Sequence, residues 1–395
     1  MKIFEIATGY TSVPAKMGAA TEIVVEELTK SFIKQSVNVE ILDLADDGRL
    51  TNSLPINEVS IPSFFVSTDT SLGIIHKTKR VVYSVLLAKR IKKLIKNTDE
   101  KIVLHFHNQY NLFFFFKLCP KALRDKVTIA YTVHSYIWHD NWNEIKDTVS
   151  KKYFQEVFAI KNSDFVFVLN ENTRKNITDN IPCNKERVYL INNGVNTDTY
   201  HPIPKENISA VKQQLGLNGD KIFLQIGSVC DRKNQLEALK LLLPILKENK
   251  NYIDAYGGGI ISEEYQNDLI AFAKENEIEN QVVFLGEITP GDTLNQYYAV
   301  SDLLVFPSKS EGFSLVIIEA MSAGLPVIVN KSLQFELSDK CLTYSSAQEF
   351  LSTANRITND EEFSLNISNT IRDYVVSNYN WDIVAEQYLN IFSEK

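Results

Sequence analysis

The sequence predicts an α/β chain built from two doubly wound parallel sheets covered by helices. Three observations carry this. Short apolar runs alternate along the chain with longer stretches whose apolar residues recur at helical spacing. The alternation breaks between Asn193 and Lys221, where Gly194, Pro202 and Pro204 sit among polar residues as in a linker. A length of 395 residues also suits two domains of ordinary size.

In the first half the runs predicted as strands are Lys2–Ile6, Asn38–Leu42, Ile102–Phe106, Val127–Val133, Phe165–Leu169 and Arg187–Ile191. Ala19–Ile33, between the first two, has helical spacing. In the second half the strands are Ile222–Ile226, Ile253–Tyr256, Val282–Leu285, Leu303–Phe306 and Pro326–Val329. Glu237–Glu248, Ser262–Asn276 and Leu294–Ala299 read as helices. Ligands of such sheets bind beyond the carboxyl ends of the strands, so the cleft between two such domains is the expected active site.

Composition narrows the function classes. Hydrophobic residues make up 44% and charged residues 23%, as in an ordinary globular protein. The net charge of −8 hides an asymmetry: residues 1–200 carry 26 Lys/Arg against 22 Asp/Glu, and residues 201–395 carry 15 against 27. An acidic chain with only local basic patches argues against a nucleic-acid binder. Cys119, Cys183, Cys230 and Cys341 are far apart and form no CxxC pair, which fits a reducing cytoplasm. No apolar segment reaches the ~18 residues of a membrane-spanning helix. Glu5 interrupts the first apolar run, so MKIFEIATGY is expected to be a strand and not a leader.

The most informative segment is SKSEGFSLVIIEAMSAGLPVIV, Ser308–Val329. Glu311 and Glu319 are separated by seven residues. Gly312 permits a tight turn, Ser314 is placed to cap a helix, and Leu315–Ser322 reads as that helix, ended by Gly324 and Pro326. A helix start offers free N–H groups and a positive dipole to phosphate. Carboxylates on either side accept hydrogen bonds from hydroxyls, and phosphate between hydroxyl-bearing groups describes a nucleotide-sugar. On spacing alone, the plainer reading is favoured, with Glu311 a loop charge and Glu319 an exposed helix residue.

The segment resembles the Glu-x7-Glu motif of family-4 glycosyltransferases, which have the GT-B fold. Ser301-Asp302, Pro307-Ser308, Glu311-Gly312-Phe313-Ser314, Glu319-Ala320-Met321 and Ala323-Gly324-Leu325-Pro326-Val327 all match. The resemblance implies that Glu311 contacts donor-sugar hydroxyls and Glu319 the ribose. It implies that backbone amides near Phe313, Ser314 and Leu315 hold the sugar and diphosphate. Gly227-Ser-Val-Cys-Asp-Arg-Lys-Asn234 is similar to a second family segment, in which Gly227 precedes an arginine and a lysine follows five residues later. Lys233 fills the lysine position. Ser228 stands where the arginine is usual, and Arg232 is the candidate replacement, with a solvated surface charge as the other reading.

In the first half Gly18 matches one of the family's paired glycines, and Ala19 departs from the other. His134, in Thr132-Val133-His134, resembles the histidine beside the donor sugar. In Leu104-His-Phe-His-Asn108, His107 reads as acceptor-side lining and His105 as core. Asn192–Asp198 resembles the hinge, and Tyr379–Ile391 the last helix. The resemblance implies residues 1–195 as an acceptor-binding domain, 196–375 as a nucleotide-sugar domain and 376–395 as a helix crossing back.

The activity implied is a retaining transfer of a hexose from a nucleotide-sugar, UDP favoured, to the hydroxyl of a glycan or lipid-linked acceptor. No metal or other cofactor is expected. The alternatives are an inactive GT-B partner subunit, for which Ser228 and Ala19 speak, and a nucleotide-sugar epimerase. Intact Glu311, Lys233 and Glu319 favour the transferase. A dehydrogenase is disfavoured, since no G-x-G-x-x-G follows the first strand. His76–Lys96 carries eight Lys/Arg and no acid, with Val81, Val82, Val85, Leu86, Ile91, Leu94 and Ile95 able to share an apolar face. It reads as a core-facing helix with a solvated basic side, or as a surface for anionic lipid. The expected location is the cytoplasm, with contact at the inner membrane face under the second reading.

Overall fold

The computed structural model describes residues 1–15, 19–62, 74–96, 98, 100–183, 185–311, 313–333 and 337–394. The chain divides into two compact units, Met1–Asn193 with Trp381–Lys395, and Gly194–Asn380.

Unit 1 contains β1 (Lys2–Ile6), β2 (Asn38–Leu44), β3 (Ile56–Val59), β4 (Ile102–Phe106), β5 (Val127–Val133), β6 (Phe165–Val168) and β7 (Val188–Leu190). They form one sheet in the order β3-β2-β1-β4-β5-β6-β7, and every pairing is parallel. β4 and β5 are buried along their whole length, as strands covered on both faces must be. Because side chains alternate, Phe4, Ile6, Leu104 and Phe106 enter one core layer, while Ile3 and Val103 enter the other.

Unit 2 contains β8 (Lys221–Ile226), β9 (Tyr252–Gly257), β10 (Val282–Gly286), β11 (Leu303–Phe306), β12 (Val327–Asn330) and β13 (Leu342–Tyr344). The order is β10-β9-β8-β11-β12-β13, again all parallel. Ile222, Leu224, Leu304 and Phe306 pack on one side, and Phe223, Leu303 and Val305 on the other. In each unit the strand order reverses once, between β1 and β4 and between β8 and β11, and crevices at such points are where doubly wound folds bind ligands.

Three differences from the sequence reading have physical reasons. β3 and β13 were not expected, because each is a short edge strand of three or four residues, too short for an alternation to register. The boundary at the end of unit 2 falls at Asn380 and not at residue 375. Ile371, Val375 and Tyr379 are buried in the unit 2 core, and Val195 bridges to Asn380, so only the helix Trp381–Ser393 belongs to unit 1. On the helix Ile74–Lys96 the buried stripe is Tyr83, Leu87, Ala88, Ile91 and Ile95, whereas Val81 is 44% exposed. The four-residue step from Tyr83 to Ile95 keeps one face inward.

Among the described residues no helix is long and apolar enough to cross a membrane. The four cysteines are free.

Candidate active site

The second unit's switch point brings the predicted residues together. β8 ends at Ile226, Gly227 follows, and a short 3-10 turn, Asp231–Lys233, carries both cations into the helix Gln235–Glu248. β11 ends at Phe306, and the chain then passes Ser308 to Glu311. Lys233 Nζ lies 2.6 Å and an Arg232 guanidinium nitrogen 2.9 Å from the same oxygen, Glu311 Oε1. The Ser308 hydroxyl donates to that oxygen at 2.7 Å. Lys233 also stands over the Phe306 ring, 5.0 Å from its centroid. Two cations on one carboxylate leave a net positive charge at the strand ends.

Burial alone would raise the Glu311 carboxyl, but Lys233, Ser308 and Arg232 outweigh it and hold the group below the usual range. Arg232 is half exposed, yet it points where Lys233 points, so it is not merely a solvated charge. A Cβ on Gly227, at φ 143°, would meet the Lys233 stem at 3.0 Å. Only glycine there lets the lysine lie against the strand end.

Glu319 lies within the helix Leu315–Ser322 and is 5% exposed, with the Tyr298 hydroxyl donating to Oε2 at 3.1 Å. It is therefore not the exposed helix residue that spacing alone allows. Ser314 occupies the N-cap position, but its side chain makes no capping bond. Phe313 stacks on Tyr379 at 6.2 Å, fixing the backbone that leads into the helix, whose first residue, Leu315, packs partly buried on the core. Gly18 and Gly312 lie outside the described residues.

In unit 1, His134 follows β5 directly. Its Nε2 is 3.0 Å from His107 Nδ1. Burial, then the neighbouring His107 and His105, push its pKa well below that of free imidazole. His107, expected as lining, is instead only 3% exposed. The reason is Glu5, wholly buried between two imidazoles: Oε1 is 3.0 Å from His105 Nδ1, and Oε2 is 2.6 Å from His107 Nε2. His105 Nε2 in turn lies 2.7 Å from the Thr132 hydroxyl oxygen. Burial pushes Glu5 up, but the two imidazoles outweigh it and hold the pKa at about 2.

Glu5, His105 and His107 also bring three donor atoms within 4.8 Å of one another, as a metal site would. Each ring nitrogen of both histidines, however, already has a protein partner. The role of Glu5 was missed in the sequence, although a signal existed. It is a lone acid among the apolar residues Ile3, Phe4 and Ile6 of β1, in register with His105, and His105 and His107 share one face at a two-residue spacing.

Residues 21–199 match the model described as Glycosyltransferase Family 4, and residues 207–336 match Glycosyl transferases group 1. An uncharacterized glycosyltransferase of Methanocaldococcus jannaschii is 27% identical over 216 residues, covering 53% of this chain and 54% of its own. The chain thus aligns over about half the length of that curated relative. An Escherichia coli protein, UDP-Gal:alpha-D-GlcNAc-diphosphoundecaprenol alpha-1,3-galactosyltransferase, is 24% identical over 89% of this chain and 88% of its own. Among solved structures, Anabaena HepE in complex with UDP and glucose superposes with a TM-score of 0.72 at 16% identity, over the full length of both chains.

Two parallel doubly wound units of this kind are the GT-B fold. The chain belongs to the group 1, family 4 glycosyltransferases.

Proposed function

We propose that this chain is a retaining hexosyltransferase that uses a UDP-sugar and an acceptor hydroxyl on a glycan or lipid-linked glycan precursor. The observation that carries the reading is the convergence of Lys233 and Arg232 on Glu311 beside the start of a helix that buries Glu319. The UDP donor and the lipid-linked acceptor are carried over from the E. coli relative, whose name specifies both, and the binding of UDP by HepE supports the donor.

In this reading Lys233 and Arg232 face the diphosphate and stabilise the charge that grows on it as the sugar leaves. Glu311 accepts hydrogen bonds from the sugar and Glu319 from the ribose, while amides near Phe313, Ser314 and Leu315 face phosphate and sugar. Gly227 lets the donor approach the backbone. His134 offers a further polar contact to the sugar. The acceptor oxygen forms its bond to the anomeric carbon on the face from which the phosphate oxygen departs. The electron pair of the broken bond leaves with the diphosphate, and the acceptor proton passes to that departing oxygen. Catalysis is then positioning and charge stabilisation, without metal or cofactor. Arg232 supplies the charge that Ser228 omits, which weighs against the inactive-subunit alternative.

Lys77, Lys89, Lys92, Lys93 and Lys96 are exposed along the helix Ile74–Lys96, which suits work at the cytoplasmic face of an anionic membrane. Co-sedimentation with vesicles should then rise with anionic lipid content, and indifference to it would remove this part of the reading.

The test is calorimetric titration with UDP, GDP and their hexose conjugates, first without metal and then with magnesium. UDP and one UDP-sugar should bind without metal, and Lys233→Ala should weaken UDP by roughly 10–100-fold, the loss of a charge-assisted contact to phosphate. Well-folded protein that binds none of these ligands would refute the proposal.

A further inference from the structure

The hydrogen bonds around Glu5 fix more than the position of His134. An ionised carboxylate only accepts hydrogen bonds. The rings that face it must therefore both donate, His105 from Nδ1 and His107 from Nε2. A neutral imidazole carries one proton, so His105 Nε2 and His107 Nδ1 are left as acceptors. Thr132 then donates its hydroxyl proton to His105 Nε2, and His134 must donate from Nε2 to His107 Nδ1. The single proton of a neutral His134 is thereby placed on Nε2, which leaves Nδ1 with a lone pair. Among the described residues the His134 ring has no other hydrogen-bond partner, and the residue, though largely buried, keeps some exposure.

The packing leaves little room for another arrangement. Glu5 and His105 are wholly buried, on the sheet face covered by the C-terminal helix, with His105 against Phe167, Tyr388 and Phe392. The depressed pKa of His107, about 4, agrees with a ring kept neutral by burial and by the neighbouring His105.

We propose that Glu5 and His107 are positioning residues that lock His134 in its Nε2-protonated tautomer, so that it presents Nδ1 as a hydrogen-bond acceptor to a substrate hydroxyl. The substrate part of this inference rests on the transferase reading above; the tautomer part does not. A hydroxyl that meets a fixed acceptor is oriented before reaction, whereas the other tautomer would present a donor and lose that discrimination.

The experiment is long-range 1H–15N correlation of histidine-labelled protein at neutral pH, in the wild type and in Glu5→Gln. The wild type should show His134 and His107 protonated at Nε2 and His105 at Nδ1. A glutamine has one acceptor oxygen and one donor nitrogen, so it cannot accept from both rings, and at least one of His105 and His107 must reverse. Glu5→Gln should also lower kcat/KM about tenfold to a hundredfold, the scale of one misplaced hydrogen bond, while UDP affinity stays within twofold.

A wild-type His134 protonated at Nδ1 would overturn the proposal, as would unchanged tautomers in a folded Glu5→Gln. So would zinc added alone shifting all three rings and binding less well to Glu5→Gln, since the cluster would then be a metal centre. His107→Phe, which deletes the acceptor for His134, is the second variant if Glu5→Gln does not fold, and it should lose the single His134 tautomer. Failure of wild-type protein to bind UDP refutes the transferase reading and leaves the tautomer assignment to be decided by the spectra.

Discussion

Glu311 and Lys233 look like one ion pair, but they answer differently to removal. Deleting the carboxylate leaves Lys233 and Arg232 facing each other with no compensating charge, and a diphosphate would relieve that repulsion. Glu311→Ala is therefore expected to lose at least ~100-fold in turnover, the usual cost of a contact that counts in the transition state, while UDP binds no more weakly than to wild type. Lys233→Ala should instead lose UDP affinity. Turnover and calorimetry on the two variants separate the roles, and equal loss of UDP binding in both would contradict the geometry.

Asp254 is a residue of another kind. It is wholly buried, accepts from the Gln225 amide and the Tyr256 hydroxyl, and burial raises its pKa to about 7 from an ordinary 3.8. The sign follows from linkage: the folded state holds this proton more tightly, so its stabilising effect is complete below pH 3.8 and is lost as pH rises through about 7. Asp254→Asn should flatten the fall in thermal stability of unit 2 between about pH 5 and 8. Among the described residues Gln225 Oε1 has no partner, so its amide can turn to receive the new donor. An unchanged pH slope in the variant would rule the group out.

At the scale of elements, the strand-to-turn junction at β8 depends on two glycines. A Cβ on Gly258, at φ 147°, would sit 2.3 Å from the Gly227 carbonyl oxygen. Backbone cannot yield as a side chain can, so Gly258→Ala should cost roughly 1–3 kcal/mol for the strained conformation and more for the clash. Urea unfolding of unit 2 measures it, and a neutral result would mean the two junctions are not packed as described. Most buried strands and the helices Ala20–Lys34, Gln235–Glu248 and Glu263–Glu275 were legible because long or fully apolar segments carry their own period. The register of the helix Ile74–Lys96 was not, because Val and Leu occur around most of its circumference. Which of them face the core is decided by the sheet beneath, and the sheet selects Tyr83, Leu87, Ile91 and Ile95.

At the scale of the whole molecule, unit 1 is completed from the far end of the chain. Trp381, Val384, Ala385, Tyr388 and Phe392 pack against Ile3, Val103, Phe165 and Phe167. Ser31 donates to Asp382 at 2.8 Å, which ties the helix Trp381–Ser393 to the helix Ala20–Lys34. Each large side chain so buried is worth roughly 1.5–3 kcal/mol, against a typical domain stability of ~5–15 kcal/mol. Truncation after Asn380 should abolish the cooperative unfolding of unit 1 and leave that of unit 2, as hydrogen exchange of β1, β4 and β6 would show. Retained protection in those strands would mean the helix is dispensable.

The sequence by itself determined the two doubly wound sheets, the linker region and the residues of the second switch point. These follow from local periodicity and from motifs contiguous in the chain, which need no partner to be read. It marked Glu311, Lys233 and Arg232 but not that both cations would meet one oxygen, because their convergence depends on β8 and β11 being neighbours in the sheet. How Glu5, His105, His107 and His134 join in one array was decided by tertiary structure. Its members lie on or directly after three strands, and only parallel pairing of β1, β4 and β5 brings them within hydrogen-bond distance.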